Sequence, residues 1–229
     1  RVAWAILLFL ALDQTLGALM YYIPGLDRHP LAQELAIYVG AYVPAILAMW
    51  LVLRPLPKGR CPNLRISPKA FARTALFSVG LIYLFSQLTD WLIWAIEMVT
   101  GLTTNDLLQS TAEDLPLPVF LVLTCIIAPV VEELIFRKLL LDRVRPFGDM
   151  AAILISGIGF GLFHMNLYQL FYAAALGMVF AGVVLKTGKL WHSMLLHAIV
   201  NTTTSAISCL SDLSEPMGIA MTVVYWVLI

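Results

Sequence analysis

Long apolar runs separated by short polar connections dominate this chain. About 20 consecutive apolar residues cross the hydrocarbon core of a bilayer as a helix, so each such run predicts one membrane span. The predicted spans are Val2–Ile23, Leu35–Leu53, Phe71–Val99, Val119–Leu141, Ala151–His164, Leu167–Leu185, Leu190–Ser208 and Met217 to the end of the sequence. The pattern therefore predicts an all-α, polytopic membrane protein with about eight transmembrane helices.

The polar connections between these spans are too short to fold on their own. The two longest are Arg54–Lys69 and Leu102–Pro118, and no repeat or low-complexity tract interrupts the spans. We therefore predict a single integral membrane domain over residues 1–229. We interpret the opening apolar run as a span rather than a signal peptide, because no small-residue cleavage site closes it.

Composition supports this assignment and excludes some function classes. The chain is 61% hydrophobic and 12% charged, with a mean hydropathy of +0.89, whereas a soluble domain carries about 25% charged residues. The formal net charge is zero, so no basic surface indicates binding to nucleic acid. The three cysteines show neither metal-ligand spacing nor an evident pairing.

Lysine and arginine are concentrated in alternate connections. Arg54–Lys69 carries five basic residues and no acid, and the connections after the fourth and sixth spans are also basic. The intervening connections hold Asp106 and Asp212 without a base. Basic loops stay on the cytoplasmic side of membrane proteins, so both termini are predicted to be cytoplasmic. No organelle address is visible, and a bacterial plasma membrane is the default expectation.

Two adjacent carboxylates, Glu132 and Glu133, interrupt the fourth apolar run. Each ionised residue at mid-membrane costs roughly 2.5–3.5 kcal/mol. Glu133 and Arg137 are four residues apart and share a helix face, so we predict an ion pair between them. Glu132 is rotated by about 100° from Glu133 and has no such partner. Pro129 predicts a kink beside Glu132.

The later spans carry further polar residues that complement this acid. His197 and Asn201 are four residues apart and project from one face of the seventh span. The helical rise places Glu132 and His197 at comparable depth in the cytoplasmic half of the bilayer, and His164 nominally deeper. A carboxylate, two imidazoles and an amide favour hydrolysis, because the acid can take a proton from water and the donors can stabilise an oxyanion. No serine or cysteine is placed as a covalent nucleophile.

Three of these patterns, in order, resemble the motifs of the CAAX protease and bacteriocin-processing family. The resemblance covers about Pro118 to Ser208, roughly the second half of the chain, and places a protease core in the fourth to seventh spans. The family consists of intramembrane glutamic endopeptidases related to the Ras-converting CAAX endopeptidase. The matching motifs are Glu132-Glu133-x-x-x-Arg137, Phe160-x-x-x-His164 and His197-x-x-x-Asn201.

The resemblance implies a role for each matching residue. Glu132 would be the catalytic carboxylate and would activate water together with His164. His197 and Asn201 would donate hydrogen bonds to the oxyanion, and Glu133 with Arg137 would form a supporting ion pair. The implied substrate is a prenylated CAAX-type tail, a peptide pheromone or bacteriocin precursor, or a segment of a membrane protein. Metal-free hydrolysis without a cofactor is favoured over a zinc site, because no His-Glu-x-x-His run is present.

Two other function classes compete with an intramembrane protease. One is a non-catalytic immunity factor or adaptor that keeps the motifs only for helix packing through interhelical hydrogen bonds. The other is a proton-coupled transporter, since intramembrane Glu and His residues relay protons; it would need inverted repeats, which the sequence lacks.

Several polar and small residues within the spans remain outside these motifs. Gly157, Gly159 and Gly161 in the fifth span are predicted to let another helix approach closely. His192 is interpreted as structural, and the tryptophans as packing or interface anchors. The sequence leaves open whether the remaining acids line a substrate path or pair with other helices: Asp13, Asp90 and Glu97.

Overall fold

The computed structural model describes residues 1–59, 62–103 and 115–213. Within these ranges the chain forms seven helices and no strand, which confirms the all-α, polytopic prediction. The eighth predicted span, from Met217 onward, lies outside the described residues. The helices are α1 (Val2–Met20), α2 (Pro30–Leu53), α3 (Pro68–Thr100), α4 (Leu117–Phe147), α5 (Asp149–Phe163), α6 (Leu167–Thr187) and α7 (Leu190–Leu213).

The helices differ in how well they suit a membrane crossing. Five of those described, α1 to α4 and α6, are long and apolar enough to span a bilayer. The 15-residue α5 is about 22 Å long at 1.5 Å per residue, shorter than the hydrocarbon core of about 30 Å. Only 17% of the residues in the apolar stretch of each of α1, α2 and α3 are buried, which leaves these helices a large surface for contact with lipid. The protein is therefore an integral membrane protein.

Local sequence signals explain where the helices begin and end. Ser67 caps α3 by accepting a hydrogen bond from the Ala70 amide at 3.2 Å, as N-cap serines do. α3 ends at Gly101, which adopts the left-handed conformation with φ +70°. α6 repeats the arrangement, with an Asn166 side-chain cap at its start and Gly188 at its end.

Two helices contain a π-helical segment that ends two residues before a proline. In α2 the segment Tyr38–Tyr42 precedes Pro44, and in α4 the segment Leu123–Ile127 precedes Pro129. Proline has no amide hydrogen, so a carbonyl on the preceding turn loses its helical partner. A third π segment follows Glu133 directly. The irregularity predicted at Pro129 is thus a widened helical turn, of the kind often found at functional sites.

A cluster of aromatic side chains packs α4 and α5 against α1. Phe9 of α1, Phe136 of α4, and Phe160 and Phe163 of α5 are all buried. The ring centroids of Phe136 and Phe160 are 5.2 Å apart, and those of Phe9 and Phe163 are 5.6 Å apart. The cluster therefore fixes the position of α5 relative to both α4 and α1.

α5 and α6 pack at close range because glycines line their contact. A methyl group on Gly161 would lie 2.5 Å from the Leu170 carbonyl oxygen, and one on Gly177 would lie 2.9 Å from the α-carbon of Gly157. The predicted close approach is confirmed for Gly157 and Gly161. It is wrong for Gly159, which is rotated by about 200° from Gly157 and has its nearest neighbours at 3.7 Å.

The basic connection between α2 and α3 lies against the ends of two other helices. The Gly59 amide donates to the Asp142 carbonyl at 2.7 Å, and the Leu64 amide donates to the Thr187 carbonyl at 3.0 Å. The three basic connections therefore lie at one end of the bundle. That this end faces the cytoplasm stays a prediction.

Candidate active site

A buried ion pair anchors the site in α4. Arg137 Nε lies 3.2 Å from Glu133 Oε2, and both side chains are 0% exposed. Arg137 Nη2 donates a hydrogen bond to the Gly177 carbonyl of α6 at 3.1 Å. The guanidinium carbon lies 4.7 Å from the centre of the Phe160 ring, a cation–π contact. The ion pair predicted from the spacing of the two residues is confirmed.

His197 of α7 lies between the two adjacent carboxylates of α4. Its Nδ1 is 3.3 Å from Glu133 Oε1, and its Nε2 is 3.7 Å from Glu132 Oε2. An ionised carboxylate only accepts hydrogen bonds, so Nδ1 carries the hydrogen in the bond to Glu133. Nε2 can then donate only when the ring is protonated. In that state His197 and Arg137 balance the charges of the two glutamates.

Phe160 lies between the two histidines of the site. Its ring centroid is 5.1 Å from that of His164 and 5.5 Å from that of His197. Phe160 therefore contacts both imidazoles, and the greater depth of His164 stays a prediction. Among the described residues no hydrogen bond or ion pair joins His164 to Glu132. The half-buried His164 ring contacts Phe163 as well, at 5.3 Å.

Asn201 donates a hydrogen bond to a backbone carbonyl of α4 that has no helical partner because of Pro129. Its Nδ2 donates to the Thr124 carbonyl at 2.9 Å. In a π-helical turn that carbonyl would accept from the amide five residues later, and that residue is Pro129, which has none. The Asn201 amide therefore replaces a missing backbone donor and keeps one further N–H available. Both α7 residues of the third motif are thus directed towards α4.

The structure adds residues from α1 and α2 that sequence reasoning did not place at the site. The hydroxyls of Tyr38 and Tyr42 lie within electrostatic range of the Glu132 carboxylate. The Tyr42 ring is 5.7 Å from the Phe163 ring. Asp13 of α1, 6% exposed, lies within electrostatic range of Tyr42. The available signal was two tyrosines spaced four apart in an apolar run, which places both on one helix face.

The ring contacts of His192 and Trp191 lie outside this constellation. His192 is buried against Phe71, with ring centroids 6.3 Å apart, and next to Trp191. Trp91, Trp94 and Trp191 are exposed, as interface anchors are. Throughout the described ranges, no three His, Cys, Asp or Glu side chains converge as a metal site requires. Metal-free hydrolysis stays a prediction.

Comparison with known proteins gives two matches. A family model described as type II CAAX prenyl endopeptidase Rce1-like matches residues 114–203, a segment that contains all three motifs. The Bacillus subtilis (strain 168) protein named "Putative membrane peptidase YdiL" is 26% identical over 174 residues, which cover 72% of this chain and 68% of that protein. No solved structure matches the chain. Over the segment that holds all three motifs, the chain is therefore similar to CAAX-type membrane proteases.

Proposed function

We propose that this membrane protease is a glutamic endopeptidase in which Glu132 activates the attacking water. The observation that carries the proposal is the placement of Glu132 Oε2 at 3.7 Å from His197 Nε2, while Glu133 holds the other ring nitrogen. That distance exceeds a direct hydrogen bond, so the Glu132 carboxylate keeps its accepting capacity for water. Glu133 is fully committed to Arg137 and His197, which leaves Glu132 as the acid available for chemistry.

The proposed reaction balances without a metal ion or a covalent intermediate. Water attacks the scissile carbonyl carbon, and Glu132 takes the proton that the water loses. His164, beside Phe160, orients the same water. When the tetrahedral intermediate collapses, the carbon–nitrogen bond breaks and Glu132 passes its proton to the leaving nitrogen. The products are a carboxylic acid and an amine.

In this proposal His197 and Asn201 stabilise the oxyanion. His197 acts as the doubly protonated ring, whose Nε2–H points away from Glu133. Asn201 uses the N–H that is not bonded to Thr124. Preorganised donors of this kind typically contribute factors of about 10²–10³ in rate, and the two hydrogen bonds to α4 supply the preorganisation here.

The proposed substrate is a prenylated CAAX-type peptide or another membrane-associated peptide, cut in the cytoplasmic half of the bilayer. The match to a CAAX prenyl endopeptidase model supports this class. The position of Glu132 supports it as well, since α4 is one of the helices that are long and apolar enough to cross a membrane. A substrate with a lipid anchor reaches such a site by diffusing within the bilayer.

The test is cleavage by purified protein in lipid nanodiscs, with mass spectrometry to locate the cut. A farnesylated CAAX-type peptide and its unmodified counterpart are compared, each with and without a chelator. We expect cleavage in both chelator conditions. Glu132→Gln should reduce the rate by at least about 10²-fold, since removal of a general base costs 10²–10⁴, and His164→Ala should behave similarly.

Two variants control for effects unrelated to the reaction. Glu97→Gln makes the same acid-to-amide change on α3, and His29→Gln changes an exposed histidine outside the spans; both should cleave at the wild-type rate. Wild-type cleavage by folded Glu132→Gln protein would refute the proposed chemistry. A folded wild type that cuts no peptide, while Glu132→Gln preserves biological activity, would instead support the immunity-factor or adaptor alternative.

A further inference from the structure

Two tyrosines on α2 stand opposite the motif-bearing helices. Tyr38 and Tyr42 belong to the π segment before Pro44, and both side chains are half-buried. Their ring centroids are 5.1 Å apart in an edge-to-face arrangement. The segment therefore presents two hydroxyl groups from one side of α2.

An aromatic chain connects these tyrosines to the predicted catalytic histidine. The Tyr42 ring contacts Phe163 at 5.7 Å, and Phe163 contacts the adjacent His164 at 5.3 Å. Phe163 is itself fixed by Phe9 of α1, at 5.6 Å. The Tyr42 side chain is thus held by packing on the side of the site where His164 lies.

Charged groups of the site also lie near both tyrosines. Both hydroxyls lie within electrostatic range of the Glu132 carboxylate, and also of Glu34 on their own helix. Asp13 lies in range of Tyr42 from the neighbouring α1. Side chains of α1 and α2, which lie outside the matched family segment, therefore lie near Glu132 as well.

A peptide bound near Glu132 needs hydrogen-bond donors for its backbone. In the bilayer core each unpaired carbonyl costs several kcal/mol, because water is not available to solvate it. On the motif-bearing helices, two donors are already used. One Asn201 N–H is bonded to the Thr124 carbonyl, and the His197 Nδ1–H is bonded to Glu133. A tyrosine hydroxyl can donate one hydrogen bond and accept others, so Tyr38 and Tyr42 can supply donors from the opposite side.

We propose that Tyr38 and Tyr42 bind the substrate by donating hydrogen bonds from their hydroxyls to peptide carbonyl groups next to the scissile bond. The inference rests on the proposed function, which places that bond at Glu132. It assigns a substrate-binding role to the first half of the chain. A hydrogen bond between neutral groups contributes a factor of roughly 3–10 in affinity. Loss of both hydroxyls should weaken binding by roughly 10–100-fold.

The test measures binding without cleavage. Glu132→Gln protein in nanodiscs is titrated against a farnesylated CAAX-type peptide that carries a fluorophore, and anisotropy gives the Kd. The same measurement is made after adding Tyr38→Phe, Tyr42→Phe or both. Phenylalanine keeps the ring packing and removes only the hydroxyl. Tyr22→Phe is the matched control, because Tyr22 is 82% exposed on the connection between α1 and α2.

The expected result is a Kd raised roughly 3–10-fold by each single change and 10–100-fold by the pair, with no change for Tyr22→Phe. An unchanged Kd in the folded double variant would overturn the proposal. If the double variant does not fold, the two single variants decide in the same way. Cleavage by Glu132→Gln alone would refute the proposed function but leave this binding comparison valid, so the two failures are distinguishable.

Discussion

A single methyl group added at Gly161 would test whether cleavage and stability depend on the close contact between α5 and α6. In Gly161→Ala the new carbon would lie 2.5 Å from the Leu170 carbonyl oxygen and 2.8 Å from the β-carbon of Ala174. Ordinary contact begins near 3.4 Å, so the helices must separate locally by about 1 Å. The obstacle is backbone, which cannot rotate away as a long side chain would.

The energetic balance of this substitution has two opposing contributions. Overpacking a close contact costs about 1–3 kcal/mol. Replacing glycine by alanine inside a helix returns about 0.5–1 kcal/mol through reduced backbone entropy. We therefore expect a net loss of about 1–2 kcal/mol in the free energy of unfolding.

The cleavage rate should fall by more than the loss of stability alone would cause. Gly161 lies three residues before His164 and next to Phe160, which contacts both site histidines. A misplacement of about 1 Å can cost roughly 10²-fold in rate. We expect a cleavage rate reduced by about 10–100-fold in protein that is still folded at the assay temperature.

Gly159→Ala provides the matched control on the same helix. Its added methyl would have its nearest neighbours at 3.7 Å, so we expect unchanged cleavage and stability equal to or above that of the wild type. Thermal unfolding in detergent and peptide cleavage in nanodiscs are measured for both variants. Equal melting temperatures and equal rates for the two variants would refute the reasoning about close approach.

Three further substitutions test other parts of the site. Glu133→Gln leaves the Arg137 charge buried without its partner, so thermal unfolding should show a loss of about 3–5 kcal/mol; a loss below 1 kcal/mol would contradict a buried ion pair. Arg137→Lys removes the forked donor that reaches α6 and should lower the melting temperature, although the charge is kept. Pro129→Ala supplies an amide for the Thr124 carbonyl and frees Asn201, so cleavage should fall by roughly 10–100-fold without loss of stability. A wild-type rate in this last variant would show that the carbonyl is not what orients Asn201.

The sequence predicted the parts of the site that depend on spacing within one helix. The Glu133–Arg137 pair follows from a separation of four residues, and the common direction of His197 and Asn201 follows from the same rule. The helical spans follow from apolar runs of sufficient length. These features are local, so they do not require knowledge of how the helices pack.

The features that the sequence did not predict depend on contacts between distant segments. The role of Phe160 between two histidines requires the packing of α4, α5 and α7. The Thr124 carbonyl is free because the helix widens before Pro129, and helical periodicity alone does not indicate a π turn. Tyr38 and Tyr42 were missed because tyrosines in an apolar run are commonplace, and only tertiary packing brings them near Glu132.

The pairing of Glu133 with Arg137 inside one helix also bears on how the protein is built in the membrane. Helices enter the bilayer in chain order, and α4 precedes both α6, which provides the Gly177 carbonyl, and α7, which provides His197. An ion pair within one helix lowers the free-energy cost of inserting that helix into lipid before the others are present. Glu132 meets its imidazole only when α7 is inserted, so the proposed hydrolytic centre is completed by the last of the described helices.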